Sequence, residues 1–328
     1  MKSPLVSVII PCYNSEKYLP TCFNSLEGQT YKNLHVIFVD GGSLDGTLQL
    51  VEEYCVNHPE YTVINGGNRG VASARNLGLQ AVKGEYFCFY DVDDILYPDH
   101  IEMLVKTVTE NSADTAVCGI KRISEKRVKN FATVKCVKKA KTLYYDNLQA
   151  LEQFFSQEKF DFCLVNKIFS AKIMRESGAS FLDGTRYGEE GYFFLAYLSA
   201  CKKTAYYSAK TYVYVQRKSS LMHSAFNESR LDVYKNLDAT EIRAKENYPT
   251  VLPYVRVMRA GYSVGLLYFI RKAKYKNSSV IADIVKRLGE DVKSIKKAPK
   301  IALYKKIGLP LVAVVAKHVF RKHLKKVK

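Results

Sequence analysis

Phe87-Cys88-Phe89-Tyr90-Asp91-Val92-Asp93-Asp94 is the stretch on which the fold turns. Its apolar run is short and aromatic, the pattern of a strand buried on both faces, and it ends in three carboxylates. Residues 6–11, 35–40 and 61–65 before it, and 115–120 after it, read as strands of the same kind, with 85–91 as the fourth in order. Residues 16–28, 45–57, 71–83 and 98–111 read as helices, and Gly28, Gly84 and Asn111 stand where helix C-termini favour them. Apolar strands joined by helices imply a parallel sheet covered on both sides. Such sheets bind ligands at the carboxyl ends of their strands, here residues 12–15, 40–47, 65–75 and 91–94.

Composition sets one part of the chain apart. The 328 residues carry 50 Lys+Arg and 32 Asp+Glu, a formal net charge of +18. Residues 271–328 hold 18 basic and 3 acidic side chains, so these 58 positions carry +15 and residues 1–270 only +3. That is a near-neutral body with a basic tail, unlike a nucleic-acid binder with its charge spread over one folded face. At 47% hydrophobic and 25% charged residues, the body is ordinary globular material. No run approaches the ~18 apolar residues of a membrane span. Met1-Lys2-Ser3-Pro4 leads straight into the first strand, so no secretory leader is expected. The eight cysteines are scattered with no CxxC pair, the usage of buried thiols in a reducing cytosol, and the six histidines show no zinc spacing. Residues 121–141 are polar and basic, an expected flexible excursion. An α/β segment follows over 144–220, and from Asn227 the chain reads as helical, grading into the tail.

The four strand ends carry content of one kind. Pro11-Cys12-Tyr13-Asn14 exposes a ring and an amide at a turn. Asp40-Gly41-Gly42-Ser43-Leu44-Asp45-Gly46-Thr47 closes a strand with an acid, turns on glycines and offers caps for the next helix. Asn65-Gly66-Gly67-Asn68-Arg69-Gly70 opens a helix with free N–H groups suited to a diphosphate, and Arg75 lies one turn in. Asp91, Asp93 and Asp94 repel one another, a cost that a hard divalent cation shared with phosphate oxygens would offset. The same acids also suit a solvated turn capping the helix that follows Pro98.

In order and spacing these stretches resemble glycosyltransferase family 2, inverting enzymes of the GT-A fold that use nucleotide-diphospho-sugars. Residues 40–47 match the family's Asp-Asp-Gly-Ser-x-Asp-x-Thr turn with one departure, Gly41 for the second Asp. Asn68, Gly70, Ala74, Arg75 and Asn76 match its Asn-x-Gly and Ala-Arg-Asn stretch, and Asp91 to Asp94 with Pro98 match its DXD-type motif. The second half is similar more loosely, through Asn166-Lys167, Gly188-Glu189-Glu190 and the Tyr-rich strand leading to Arg217 and Ser219.

The resemblance implies an α/β, GT-A (Rossmann-like), mostly parallel sheet with flanking helices over residues 1–225. Residues 1–120 would bind the nucleotide-sugar and 121–225 the acceptor, followed by a helical region, 226–328, whose basic tail associates with a membrane. It implies transfer from a nucleoside-diphosphate sugar, with UDP expected, to a hydroxyl of a glycan or lipid-linked acceptor in surface-polysaccharide synthesis on the cytoplasmic membrane face. By resemblance, Pro11, Tyr13, Asn14, Asp40, Asn68, Arg75, Asp91 and Val92 bind the donor. Asp93, with Asp91 and Asp94, holds Mn²⁺ or Mg²⁺. Asn166, Lys167, Arg217 and Ser219 serve the acceptor and pyrophosphate. Glu190, or failing it Glu189 or Asp183, is the base. Two other readings stand beside this one. A basic nucleic-acid- or membrane-binding protein without transferase activity would use the tail alone, although no aromatic residues are interleaved with its lysines for base stacking. A sugar nucleotidyltransferase would also use Asp and metal, although its glycine-rich phosphate grip is missing after residue 11.

Overall fold

The computed structural model describes residues 3–130, 140–217, 226–298 and 301–327. The chain opens as β1 (Val6–Cys12), α1 (Leu19–Glu27), β2 (Leu34–Asp40), α2 (Thr47–Val56), β3 (Thr62–Asn65), α3 (Val71–Gln80) and β4 (Tyr86–Phe89). It continues through β5 (Ile95–Leu96), α4 (His100–Glu110), β6 (Thr115–Ser124), β7 (Thr142–Tyr145), α5 (Asn147–Ser156), β8 (Lys167–Ser170), α6 (Ala171–Ser177), α7 (Glu190–Ala200) and β9 (Thr204–Gln216). Helices α8 (Asp232–Asn247), α9 (Leu252–Lys272), α10 (Ser278–Asp291), α11 (Leu303–Val319) and α12 (Arg321–Lys326) complete it. The residues group into two compact units. One holds Met1–Asn147, Cys163–Thr185 and Ala196–Ser220, and the other Leu148–Phe162, Arg186–Leu195 and Leu221–Lys328.

The first unit is built on one sheet of order β3-β2-β1-β4-β8-β6-β9-β5, with β7 also on β9. Strands β3, β2, β1 and β4 are mutually parallel, as the buried apolar runs require. Beyond them the sheet is mixed: β8 runs antiparallel to β4 and β6, and β9 runs parallel to β6. The register sets Ile9 beside Ile37 and Ile10 beside Phe38, on opposite faces. Gly78 of α3 presses on Ile9. Phe38 packs against Phe23 of α1 and Tyr54 of α2, so helices cover both faces.

Three local expectations need correcting. The strand read over 85–91 ends at Phe89: after a last bond to β1, Tyr90 N–H to the Ile9 carbonyl, the chain turns, with Asp94 N–H on the Asp91 carbonyl. Gly84 does not cap α3, which ends at Gln80; its N–H donates to Ser7 Oγ at 3.0 Å as the chain enters β4. The polar stretch after Lys121 begins as sheet, because β6 stays paired with β9 through Ser124 and Gln216. Residues 131–139 lie outside the described residues. The seven described cysteines are free thiols.

In the second unit an ion-pair network joins α8, α9 and α10. Arg259 makes a bidentate pair with the buried Asp291 at 2.9 and 2.7 Å and also meets Asp238 at 2.8 Å and Glu241. Arg256 bonds Glu241 at 2.6 Å, and Arg287 bonds Asp238 at 2.8 Å. Holding a buried arginine from two sides keeps every charge compensated, so losing one partner would cost more than the pair contributes.

The α3–β1 contact gives a test with opposed effects. Alanine at position 78 is the better helix former by about 0.8–1.0 kcal/mol. Its methyl would, however, overlap Ile9 Cγ2. Overpacking of this kind costs roughly 1–3 kcal/mol, so Gly78→Ala is expected to lower the urea unfolding midpoint despite the gain in propensity. An unchanged or raised midpoint would contradict the packing described.

Candidate active site

Adjacent parallel strands end together, so the loops after β1, β2, β3 and β4 share one edge of the sheet. Asn14, at φ 46°, bridges two of them: its N–H donates to Ser43 Oγ at 2.9 Å and its Oδ1 accepts from Leu44 N–H at 2.8 Å. Ser15 N–H meets Thr47 Oγ1 at 2.7 Å, and the Glu16 carboxylate accepts from Gly46 N–H at 2.9 Å. Gly42, at φ 78°, leaves only 3.0 Å between a would-be Cβ and Asn68 N, so the second loop lies against the third. The ring of Tyr13 is 51% exposed at this edge, beside the backbone of Gly41, and Pro11 is half-buried at the end of β1. Asn68 is exposed.

Asp40, expected to bind the donor, also holds the loop that follows it. It is buried, and its carboxylate accepts from Gly42 N–H at 2.9 Å, Ser43 N–H at 3.0 Å and Ser43 Oγ at 2.5 Å. It therefore shapes the loop.

The three acids after β4 separate by partner. Asp91 is about a third exposed, and Arg75 Nη2 reaches its Oδ1 at 3.7 Å. The Arg75 guanidinium lies over the rings of Phe89 and Phe181, at 6.0 and 5.7 Å. Asn76 fixes that floor by donating to the Phe181 carbonyl at 2.9 Å and accepting the Phe181 N–H at 2.8 Å. Asp93, also about a third exposed, receives Arg217 Nη1 at 3.1 Å. Arg217 lies over the Tyr18 ring at 4.6 Å and has Glu125 at 3.7 Å. Burial pushes the Asp93 carboxyl above its ordinary range, and Arg217 pulls it back.

Asp94, expected among the metal ligands, is 1% exposed and turned to β9. Tyr212 Oη donates to its Oδ2 and Val215 N–H to its Oδ1, both at 2.8 Å. Burial, with repulsion from Asp91 and Asp93, pushes this carboxyl well above its ordinary range. Val92 is buried between these acids in sequence and adds packing.

Asp91 and Asp93 are therefore the two acids of this turn that keep about a third of their surface exposed. Among the described residues no three His, Cys, Asp or Glu side chains converge on one point. Mg²⁺-type sites are made from one or two carboxylates completed by substrate phosphates and water, and this pair fits that donor set.

Asn166 and Lys167 are not at an open surface. Asn166 Nδ2 donates to the Cys118 carbonyl at 2.5 Å, and the buried Lys167 ammonium donates to Asn166 Oδ1 at 2.8 Å and to the Cys163 carbonyl. They tie the entry of β8 to β6. Asp183 bridges Ser73 and Asn76 at 3.0 and 2.9 Å. Ser219 lies outside the described residues. Glu189 and Glu190 belong to the second unit. Glu189 is buried, and Glu190 opens α7, where the helix dipole favours a carboxylate. That turn is held by α8: Gly188, at φ 71°, has no room for a Cβ beside Val233, and Asn236 Nδ2 bonds the Tyr187 carbonyl at 2.9 Å. Tyr18, Glu125 and Tyr212 went unnoticed in the sequence. Only Tyr212 lay in a stretch already marked, the Tyr-rich strand.

The setting of Asp94 separates two substitutions. Asp94→Ala leaves a buried hydroxyl and a buried N–H without this acceptor, at roughly 1–3 kcal/mol each in urea unfolding. Asp94→Asn can serve both partners and removes a charge that burial opposes. A carboxyl with a raised folded pKa favours folding only where it is protonated, and that contribution is lost as pH rises through the folded value. At neutral pH Asp94→Asn is thus expected to match or exceed the wild type, and the wild type is expected to gain on it as pH falls.

Residues 7–178, over half of the chain, match the Glycosyl transferase family 2 domain. The glycosyltransferase GlyG of Streptococcus pneumoniae serotype 4 is 30% identical over 232 residues, 69% of this chain and 76% of GlyG. GlyA of the same organism is 30% identical over 220 residues, 66% of this chain but 31% of GlyA, so the chain spans about a third of that relative. Among solved structures, S. aureus TarS 1-349 in complex with UDP-GlcNAc superposes with a TM-score of 0.67 at 20% identity, over 97% of this chain and 92% of that one. The mannosyltransferase PcManGT from Pyrobaculum calidifontis, in complex with GDP-Man and Mn²⁺, gives 0.55 at 16% identity, over 98% and 89%. At such identities the two structures speak for fold alone. Sequence match, relatives and fold agree: the chain belongs to glycosyltransferase family 2, with the GT-A fold.

Proposed function

We propose that the protein is a glycosyltransferase that moves a sugar from a nucleoside diphosphate, UDP by preference, to a hydroxyl of a glycan or lipid-linked saccharide. Transfer inverts the anomeric carbon and serves a surface polysaccharide of the cell wall or capsule. The observation that carries the reading is the pair of part-exposed carboxylates after β4, each matched by an arginine: Asp91 with Arg75 and Asp93 with Arg217. Such a row presents both what a diphosphate needs and what its counter-ion needs. The UDP-GlcNAc bound in the TarS structure supports the choice of nucleotide. Residues 1–120 would receive the nucleotide-sugar, 121–225 the acceptor, and 226–328 would place the enzyme peripherally on the cytoplasmic face of an anionic membrane.

As the acceptor oxygen bonds to the anomeric carbon, the bond from that carbon to the diphosphate breaks and the hydroxyl proton must leave. Glu190 takes that proton as general base. Arg75 and Arg217 meet the growing charge on the diphosphate oxygens. Asp93 and Asp91 would hold Mn²⁺ or Mg²⁺, which when bound supplies Lewis-acid neutralisation of the leaving group. The Mn²⁺ of the mannosyltransferase complex supports that assignment.

The test is UDP release from a panel of UDP-sugars with Mn²⁺, with and without a lipid-linked acceptor. Acceptor-dependent release is expected for at least one donor. Asp93→Ala should abolish the Mn²⁺-dependent part of UDP binding in calorimetric titration. Glu190→Gln should bind UDP as the wild type does and lose transfer by about 10²–10⁴-fold. Near-wild-type turnover in Glu190→Gln would remove that residue from the role.

A further inference from the structure

We propose that α11 is an interfacial helix that lies in the plane of an anionic lipid surface, its bulky apolar stripe in the acyl boundary and its basic ends on the headgroups. The proposal deepens the peripheral setting given above and rests on it.

The observation is the way α11 is turned. Among the described side chains of α11 the buried positions are the small ones, Ala313 and Ala316, each 5% exposed, with Phe320 closing the same face. Its large residues face outward: Ile307 is 60%, Leu311 61%, Val314 66% and Val315 50% exposed. Those four stand at i, i+4, i+7 and i+8, one continuous stripe of the helix surface. A surface helix in water has the opposite arrangement, with its large apolar residues inward. Valines on the water face and Pro310 inside the helix also make α11 a poor choice for a solvated, solubilising element. The inward face is already occupied, since α11 packs on α10 with Lys317 beside Gly289, while α12 adds a bond from Ser278 to His323 at 3.0 Å.

Charge decides what covers the stripe. Residues 301–328 hold eight Lys+Arg and no Asp or Glu. Lys306 and Lys317 are exposed towards the two ends of α11, and Arg321, Lys322, Lys325 and Lys326 are exposed on α12. A second copy docking here would bring the same positive charges together, which opposes self-association. A nucleic acid would meet the lysines but leave the stripe in water. An anionic lipid surface accommodates apolar and basic groups together, as in-plane amphipathic helices do. At 17 residues α11 is about 25 Å long, and no helix among the described residues is long and apolar enough to cross a membrane.

The test is co-flotation of the full chain with vesicles of phosphatidylglycerol and phosphatidylethanolamine, and with vesicles of phosphatidylcholine alone. The wild type is expected to float with the anionic vesicles and far less with the neutral ones. Leu311→Asp/Val315→Asp should lower the partition coefficient by at least about tenfold. Its melting curve and UDP release should stay as in the wild type, since both side chains face water. The chain contains no tryptophan, so Val314→Trp gives a single emission that should shift to the blue on adding anionic vesicles. Undiminished flotation of the double variant, or a bound Val314→Trp chain without the shift, would overturn the interfacial helix and leave a purely electrostatic attachment. A wild type that does not float would overturn both the helix and the membrane setting. A dimer in sedimentation velocity that the double substitution dissociates would make a second copy the occupant and overturn the proposal.

Discussion

Three carboxylates within four residues at the end of a buried strand cannot be left to one another, and much of the first unit is the answer to that constraint. Burial and repulsion from Asp91 and Asp93 both oppose the charge on Asp94, a cost that has to be compensated by partners. Asp94 is taken by Tyr212 and Val215 of β9, Asp93 by Arg217 just beyond β9, and Asp91 by Arg75 of α3. Three of these four partners, Tyr212, Val215 and Arg217, lie more than a hundred positions later in the chain. β9, a strand from the second half of the sequence, thus lies in the same sheet as β1 to β4 and supplies two of the contacts to these acids.

Much of this arrangement was legible in the sequence. Buried apolar runs and intervening helices marked β1 to β4 and their common edge, because the period of the pattern reports burial directly. The order of four short motifs pointed to the family. Side-chain direction at the strand ends was not legible. Asp40 and Asp94 each end an apolar run and read as ligands, yet one is held by Gly42 and Ser43 and the other by β9. Neither partner set is adjacent in a pattern that periodicity can reveal. The burial of Asn166 and Lys167 was not legible either, since their partners, the Cys118 and Cys163 carbonyls, follow no local period.

The tail shows the complementary limit. Its charge was plain from composition, but charge alone cannot distinguish a solvated helix from an attached one. The orientation of α11, with alanines inward and valines outward, is a property of how it packs on α10. Which face a short apolar helix presents depends on neighbours that the local sequence does not name.

The donor is proposed to sit on the carboxyl edge of β1 to β4, beside Asp91, Asp93 and their arginines. Hydrogen–deuterium exchange of the full chain, with and without UDP and Mn²⁺, tests this placement most directly. New protection is expected only in the backbone around residues 12–15, 41–47, 66–75 and 90–94, with α9 and α10 unchanged. Protection centred instead on the Arg259 network of the second unit, with the four loops unaffected, would contradict it.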